Sequence, residues 1–329
     1  MKIAVVGVGA IGGFVGIRLA LAGEDVTFIA RGANLQALRT NGLRLITAEG
    51  TEESVPQVNA TSDYAAAGPQ DVVILAMKAH QVAAVAPDVP KLFGPNTVVV
   101  PMQNGVPYWY FHDHAGKLAG TRVQSVDPTG VIAENIPGSR VIGCVVYPAT
   151  ELVSHGVIKH VEGTRFPVGE PNGTTSERVQ RVADCLTRAG LKSPVLEDIR
   201  SEIWLKLWGN MTFNPISALS RGTLAGICQY PPTRELAAAM MTEAQTVAHK
   251  LGITFRVPLE KRIAGAEKVG HHKTSMLQDV EAGRDLEIDA LLGAVVELAR
   301  LTETPTPNLK AVYALTTLLA KSLQESRTN

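Results

Sequence analysis

The chain has 329 residues, 45% hydrophobic and 19% charged, with zero formal net charge and a pI near 7. That length suits two domains around a sizeable core, and the even charge balance argues against nucleic acid or an anionic membrane surface as a partner. The apolar stretch over residues 3–17 carries five glycines and stops at Arg18, so it does not read as a membrane span.

The first expected element is an apolar strand over residues 3–6. It runs into Gly7-Val-Gly-Ala-Ile-Gly12, and an amphipathic helix over residues 10–22 follows. Starting a strand this early leaves no room for a signal peptide. In a G-x-G-x-x-G turn, Gly7 permits the tight bend, Gly9 lets backbone approach a pyrophosphate, and Gly12 lets helix and strand pack closely. Ala10, Ile11 and Gly12 open the helix and present its free N–H groups to phosphate. The bland alternative is a glycine-rich turn that binds nothing.

A second strand, residues 25–30, decides which dinucleotide fits. NAD-binding units usually end it with a carboxylate that holds the ribose 2′-OH. Here it ends in Ala30-Arg31-Gly32. A guanidinium attracts a 2′-phosphate that a carboxylate would repel, so the expected cofactor is NADPH/NADP+. The alternative is a solvated loop arginine.

Residues 34–40 look helical. Residues 71–76 form a continuous apolar run, as a strand buried on both faces does. A helix over residues 79–93 and a strand over 97–101 follow, closed by Gln103-Asn104-Gly105 as a turn. Right-handed crossovers give a doubly wound parallel sheet of Rossmann type. Residues 141–146, 156–161 and 165–169 read as strands able to extend the sheet edge in antiparallel fashion. A helix over 176–189 and a last strand over 193–196 close an α/β domain of residues 1–197. From residue 198 strand signals almost vanish. Helical patterns over 203–219, 233–251, 259–269, 287–301 and 309–323 give an all-helical C-terminal domain, residues 198–329, with Asp285 placed to cap the fourth helix.

The 203–219 segment is apolar on nearly every face, yet Lys206, Asn210 and Asn214 recur at i, i+4 and i+8 along one stripe. A buried lysine is costly unless paired. The stripe is therefore either a polar cleft or a structural hydrogen-bond network. Pro215 should bend the helix. Thr274-Ser275-Met-Leu-Gln-Asp279 and Arg284-Asp-Leu-Glu287-Ile-Asp289 form a second polar cluster. Lys78 and Asn104 follow the 71–76 and 97–101 strands, and ligands bind outside the carboxyl ends of strands in open parallel sheets. Either residue could equally be an ordinary loop residue.

Taken together, these motifs resemble the ketopantoate reductases (2-dehydropantoate 2-reductases). The resemblance spans nearly the full length. It rests on the N-terminal glycine turn, Met77-Lys78, Gln103-Asn104-Gly105, the Lys206-Asn210-Asn214 stripe leading into Ser217-Ala-Leu, and Ser275-Met-Leu-Gln-Asp with Glu287-Ile-Asp289. It implies NADPH-dependent reduction of the 2-keto acid ketopantoate to pantoate, on the way to pantothenate and coenzyme A. It also implies that Lys206 is the catalytic acid, and that Glu287, Asn210, Asn214 and Ser275 contact substrate. Lys78 and Asn104 are then placed at the substrate–nicotinamide junction. The chemistry agrees: hydride delivery to C2 leaves an alkoxide, which a positioned ammonium stabilises and protonates. Burial should lower the lysine's pKa toward working pH, and a nearby Glu287 should oppose that shift.

Two departures stand out. His272 occupies a position that often carries asparagine in that family, and Val106-Pro-Tyr-Trp-Tyr-Phe111 is bulky. That aromatic run is either core packing or a reshaped pocket for another 2-keto acid. The runner-up functions are a dehydrogenase of bulkier branched or aromatic 2-hydroxyacids and a non-catalytic NADPH sensor. His112, His114, His271 and His272 lack the companions of a metal site. The cysteines (Cys144, Cys185, Cys228) form no C-x-x-C pair and read as buried apolar residues in a reducing, cytoplasmic setting. Oligomeric state stays open, a homodimer included.

Overall fold

The computed structural model describes residues 1–328. Two compact units emerge. Unit 1 comprises Met1–Gln103, Tyr108–Arg122 and Thr129–Ile199; unit 2 comprises Asn104–Pro107, Val123–Pro128 and the chain from Arg200 onward.

The strands of unit 1 are β1 (Lys2–Val6), β2 (Asp25–Ile29), β3 (Leu43–Ile46), β4 (Glu52–Val55), β5 (Asn59–Thr61), β6 (Gln70–Leu75), β7 (Phe93–Pro101), β8 (Gly143–Cys144), β9 (Ala149–Ser154), β10 (Val157–Glu162) and β11 (Val168–Gly169). Its helices are α1 (Ala10–Leu21), α2 (Gly32–Asn41), α3 (Tyr64–Ala67), α4 (Val82–Val85), α5 (Val131–Asn135) and α6 (Glu177–Arg188). Five strands pair in parallel in the order β5-β2-β1-β6-β7. Ile3 to Val6 and Val72 to Leu75 are buried, as the apolar runs of a covered parallel sheet require. The order reverses between β2 and β6 around β1, which creates the crevice where doubly wound sheets bind ligands.

Several expectations need correction. Residues 79–93 do not make one helix: a 3-10 turn (Ala79–Gln81), the single turn α4 and a second 3-10 stretch (Ala86–Leu92) replace it. Pro87 and Pro90 supply no N–H, and their rings disfavour a continuous α-helix. The later strands do not extend the central sheet in antiparallel fashion: Val141 makes an isolated parallel bridge to Val99 of β7, with Ile142 N–H donating to the Val99 carbonyl at 2.9 Å. Instead β10 lies parallel to β3 and antiparallel to β9 in a separate mixed sheet, β4-β3-β10-β9, and β8 pairs with β11. Residues 193–196 contribute only the isolated bridge Val168–Val195.

The mixed sheet explains α1. This helix is not amphipathic in its setting: Gly12, Gly13, Phe14, Val15, Gly16, Ile17 and Leu19 are all buried. A Cβ on Gly16 would stand 2.3 Å from Phe28 of the central sheet, and one on Gly13 would stand 2.5 Å from Ile158 of β10. Small residues on two faces let α1 sit between two sheets. Phe14 fills the remaining gap, stacked on His160 at 4.6 Å between ring centroids.

Every regular element of unit 2 among the described residues is helical. These are α7 (Ile199–Ser220), α8 (Leu224–Gln229), α9 (Pro231–Lys250), α10 (Leu259–Lys268), α11 (Ser275–Glu281), a π-turn (Asp289–Gly293), α12 (Ala294–Leu301) and α13 (Pro307–Thr328). The α7 helix is central because its apolar faces are buried on several sides. Trp204 and Trp208 are fully buried, and Trp208 Nε1 donates to the Met241 carbonyl of α9 at 2.7 Å. Pro215 does not end α7, which runs on to Ser220. Asp285 pairs with Arg327 at 2.8 Å, and the segment after Glu287 opens as the π-turn, whose N-cap is Ile288. No helix among the described residues is long and apolar enough to cross a membrane.

Candidate active site

The end of β1 builds the first cluster. Gly7 adopts φ +92°, a conformation open to glycine and strained for other residues. Its N–H donates to the Ile29 carbonyl of β2 at 3.2 Å. A Cβ on Gly12 would lie 2.0 Å from the Gly7 carbonyl oxygen, whereas one on Gly9 would meet nothing within 4 Å. The two glycines therefore have different purposes: Gly12 for packing, Gly9 for open space above the turn. Gly9 is the N-cap of α1, with no side chain capping it and no acidic residue in the first turn. The first rung of the helix is Gly13 N–H to Gly9 carbonyl at 2.8 Å. The amides of Ala10, Ile11 and Gly12 lie ahead of that ladder, at the positive end of the helix dipole. These residues fit a dinucleotide pyrophosphate. Arg31 is exposed and is the N-cap of α2, at the end of the strand neighbouring the turn.

Lys78, half-buried, follows β6 and starts the 3-10 turn, its N–H donating to Gln81 Oε1 at 3.2 Å. Gln103 fixes the same strand end. Its Nε2 donates to the carbonyls of Leu75 at 2.7 Å and Met77 at 3.1 Å, stitching β7 to β6 where β6 stops.

The second cluster belongs to unit 2. Lys206 Nζ donates to Asn104 Oδ1 at 2.6 Å, a separation of 102 residues in sequence. Lys206 is half-buried. Asn104 is held by its neighbours: Gly105 sits at φ +92°, and a Cβ there would lie 2.2 Å from the Ala290 carbonyl oxygen. Val106 N–H donates to that same carbonyl at 2.8 Å. Ala290 belongs to the π-turn that begins two residues after Glu287, itself half-buried. The turn thus joins the Glu287 segment to the loop that carries Asn104. Tyr313 braces it, its hydroxyl donating to Asp289 Oδ1 at 2.9 Å. Burial, then the bond to Asp289, push that hydroxyl's pKa up to about 12.

Two turns further along α7, Asn214 is buried and its Nδ2 donates to Ser275 Oγ at 3.4 Å. Asn210 lies between Lys206 and Asn214 on the same stripe, half-buried. Lys206, Asn104, Asn214 and Ser275 are thus linked in pairs by side-chain hydrogen bonds, with Asn210 between the pairs. His272 is exposed and contributes its carbonyl to Leu224 N–H at 3.2 Å. The aromatic run is core: Tyr108, Trp109, Tyr110 and Phe111 are buried, and the Tyr108 hydroxyl donates to the Ile136 carbonyl at 3.0 Å. All three cysteines are buried. Among the described residues no three His, Cys, Asp or Glu side chains converge as metal ligands would.

Sequence reasoning gave no role to Gln103, to the π-turn or to Asn34, whose Nδ2 donates to the Val8 carbonyl at 2.8 Å. The signals were faint. Gln103 sits inside a motif that reads as a strand-closing turn and carries part of the family resemblance without a role of its own, and Asn34 falls in a stretch that reads only as helical.

Known proteins resemble this chain over nearly its full length. Residues 3–173 match the family model described as ketopantoate reductase PanE/ApbA, and residues 198–320 match its C-terminal counterpart. A 2-dehydropantoate 2-reductase of Mesorhizobium japonicum is 53% identical, covering 97% of this chain and 98% of its own. A solved structure from Ralstonia solanacearum MolK2 is 45% identical with a TM-score of 0.93, covering 98% of both chains. A D-mandelate dehydrogenase, solved with NADH and anilino(oxo)acetate, shares the fold: TM-score 0.83 at 22% identity, covering 98% of this chain and all of its own.

Proposed function

Because this chain belongs to the ketopantoate reductase family, we propose that it reduces 2-dehydropantoate to pantoate with NADPH, in the cytoplasm, as a step toward pantothenate and coenzyme A. The observation that carries the chemistry is the 2.6 Å bond from Lys206 Nζ to Asn104 Oδ1. It holds an ammonium in fixed orientation beside the Asn210, Asn214 and Ser275 stripe.

A nicotinamide dinucleotide held at the glycine turn would supply hydride for the substrate's C2 carbon. Lys206 stabilises the negative charge that develops on the former keto oxygen and donates the proton to it. Asn104 accepts one of the ammonium's three N–H donors and so aims the others. Glu287 is assigned to orient the ammonium of Lys206. Asn210, Asn214 and Ser275 hold the substrate hydroxyl and carboxylate without adding charge. Lys78 offers a second cation for the carboxylate. On the dinucleotide side, Gly7, Gly9, Ala10, Ile11 and Gly12 receive the pyrophosphate, Arg31 the 2′-phosphate, and Lys78 and Asn104 the nicotinamide end.

The assay that tests this reading is NADPH oxidation over a panel of ketopantoate, 2-ketoisovalerate and phenylpyruvate. Ketopantoate should give the highest kcat/KM. A preference for either other acid would move the assignment to a 2-hydroxyacid dehydrogenase, and NADPH binding with no turnover would make the chain a sensor. The buried state of Tyr108 to Phe111 argues against a pocket reshaped for a bulkier acid.

Cofactor preference has its own test. Wild type should bind NADPH more tightly than NADH, and Arg31→Ala should remove most of the difference. A charge-assisted contact contributes about 1.5–3 kcal/mol, roughly ten- to a hundredfold in affinity. Arg31 is exposed, so the lower end is expected, and the gap should narrow in high salt. A wild-type preference for NADH would overturn the role given to Arg31.

A further inference from the structure

We propose that Asn34 is a positioning residue for the phosphate-binding turn: its side-chain amide locks the Val8–Gly9 peptide so that the Gly9 N–H is presented to the dinucleotide. The inference rests on the reading of that turn as a nicotinamide dinucleotide site. Asn34 is the third residue of α2, three positions after the N-cap Arg31. Its Nδ2 donates to the Val8 carbonyl at 2.8 Å, and Val8 stands between Gly7 and Gly9 in the middle of the turn.

A trans peptide is planar, with C=O and N–H pointing in opposite directions. A Val8 carbonyl pinned toward Asn34 therefore aims the Gly9 N–H to the other side. That amide has no protein acceptor among the described residues, and the space beside the Gly9 α-carbon is open to 4 Å. On its Gly9 side this peptide borders open space, where no side chain resists a flip. The bond from Asn34 removes that freedom before ligand arrives.

Asn34 is also a poor choice for stability alone. Its Oδ1 is buried without a partner. The amide cannot turn to relieve this, because exchanging its oxygen and nitrogen would set two oxygens against each other at Val8. A buried unsatisfied acceptor lowers stability, and alanine would both remove it and favour the helix. What the amide contributes is the geometry of the turn. The pyrophosphate is common to both dinucleotides, so Asn34 should act on NADPH and NADH alike, while Arg31 distinguishes them.

The experiment measures dissociation constants for NADPH and NADH by nicotinamide fluorescence, with thermal midpoints, on wild type, Asn34→Ala, Asn34→Asp and Arg31→Ala. Asn34→Ala should weaken both dinucleotides about five- to tenfold, the equivalent of one hydrogen bond, with their ratio kept and the midpoint equal or higher. Asn34→Asp, equal in shape but without the donor, should reproduce the loss. Arg31→Ala should change the ratio instead. Unchanged affinities in both Asn34 variants would overturn the proposal, as would a loss confined to NADPH or a marked fall in midpoint. A wild type that binds neither dinucleotide would overturn the dinucleotide reading itself, and the role of Asn34 with it.

Discussion

Lys206→Ala is expected to lower kcat by at least about two orders of magnitude, the usual contribution of a positioned general acid being about a hundred- to ten-thousandfold. NADPH affinity should stay nearly intact, because the glycine turn and Arg31 belong to unit 1 and Lys206 to unit 2. Lys206→Arg should not rescue the rate. Guanidinium keeps the positive charge, but with a pKa above about 12 it gives up its proton poorly. It also cannot place a compact ammonium 2.6 Å from Asn104 Oδ1. Asn210→Ala should behave differently, chiefly raising KM, since that side chain is assigned to substrate and not to the proton. Steady-state kinetics on the three variants separate these roles. Near-normal kcat in Lys206→Ala would make the α7 stripe a structural network and leave Lys78 as the next candidate acid.

The parts of the molecule that were legible in sequence are those whose cause is local. The β1 strand, the glycine turn and the start of α1 form one continuous pattern of apolar run, turn residues and helix, and each feature constrains only its neighbours. The Lys206, Asn210 and Asn214 stripe was legible for the same reason: a helical period fixes which residues share a face. The remainder depended on partners distant in the chain. Glu52–Val55 reads as polar and pairs only because β3 offers an edge to it. With that mixed sheet unseen, α1 was expected to have a solvent face, although Gly13 and Gly16 on separate faces hinted at close packing on both. Asn104 reads as the end of a strand in the first domain, yet it belongs with unit 2, where its neighbours are fixed by the Ala290 carbonyl, 185 positions after Gly105. No local rule yields that bond, nor the π-turn that makes the carbonyl available. Pro87 and Pro90 are different. They are local and visible in the sequence: their two missing N–H groups outweigh the apolar periodicity of residues 79–93.

Gly9→Val should abolish measurable cofactor binding while leaving the fold in place, and the reason lies in how differently the glycines of the turn are used. At Gly9 φ is −88°, which any residue adopts, and an added Cβ meets no protein atom within 4 Å. The folded protein therefore tolerates valine. The branched side chain fills the space assigned to the pyrophosphate and blocks approach to the amides at the start of α1. Each charge-assisted bond lost there is worth about 1.5–3 kcal/mol, so losing two weakens NADPH by at least about a hundredfold. Gly12→Ala should fail in the opposite way. Its Cβ would stand 2.0 Å from the Gly7 carbonyl and 2.9 Å from Ala76 Cβ, so α1 must shift off the sheet, at a cost of about 1–3 kcal/mol or more. The pair of variants is read by thermal midpoint and NADPH titration together. Gly9→Val should keep the wild-type midpoint and lose binding; Gly12→Ala should lose midpoint first. A Gly9→Val protein that binds NADPH as wild type does would remove the turn from the cofactor site, since no smaller displacement of a bound pyrophosphate would accommodate an isopropyl group at that α-carbon.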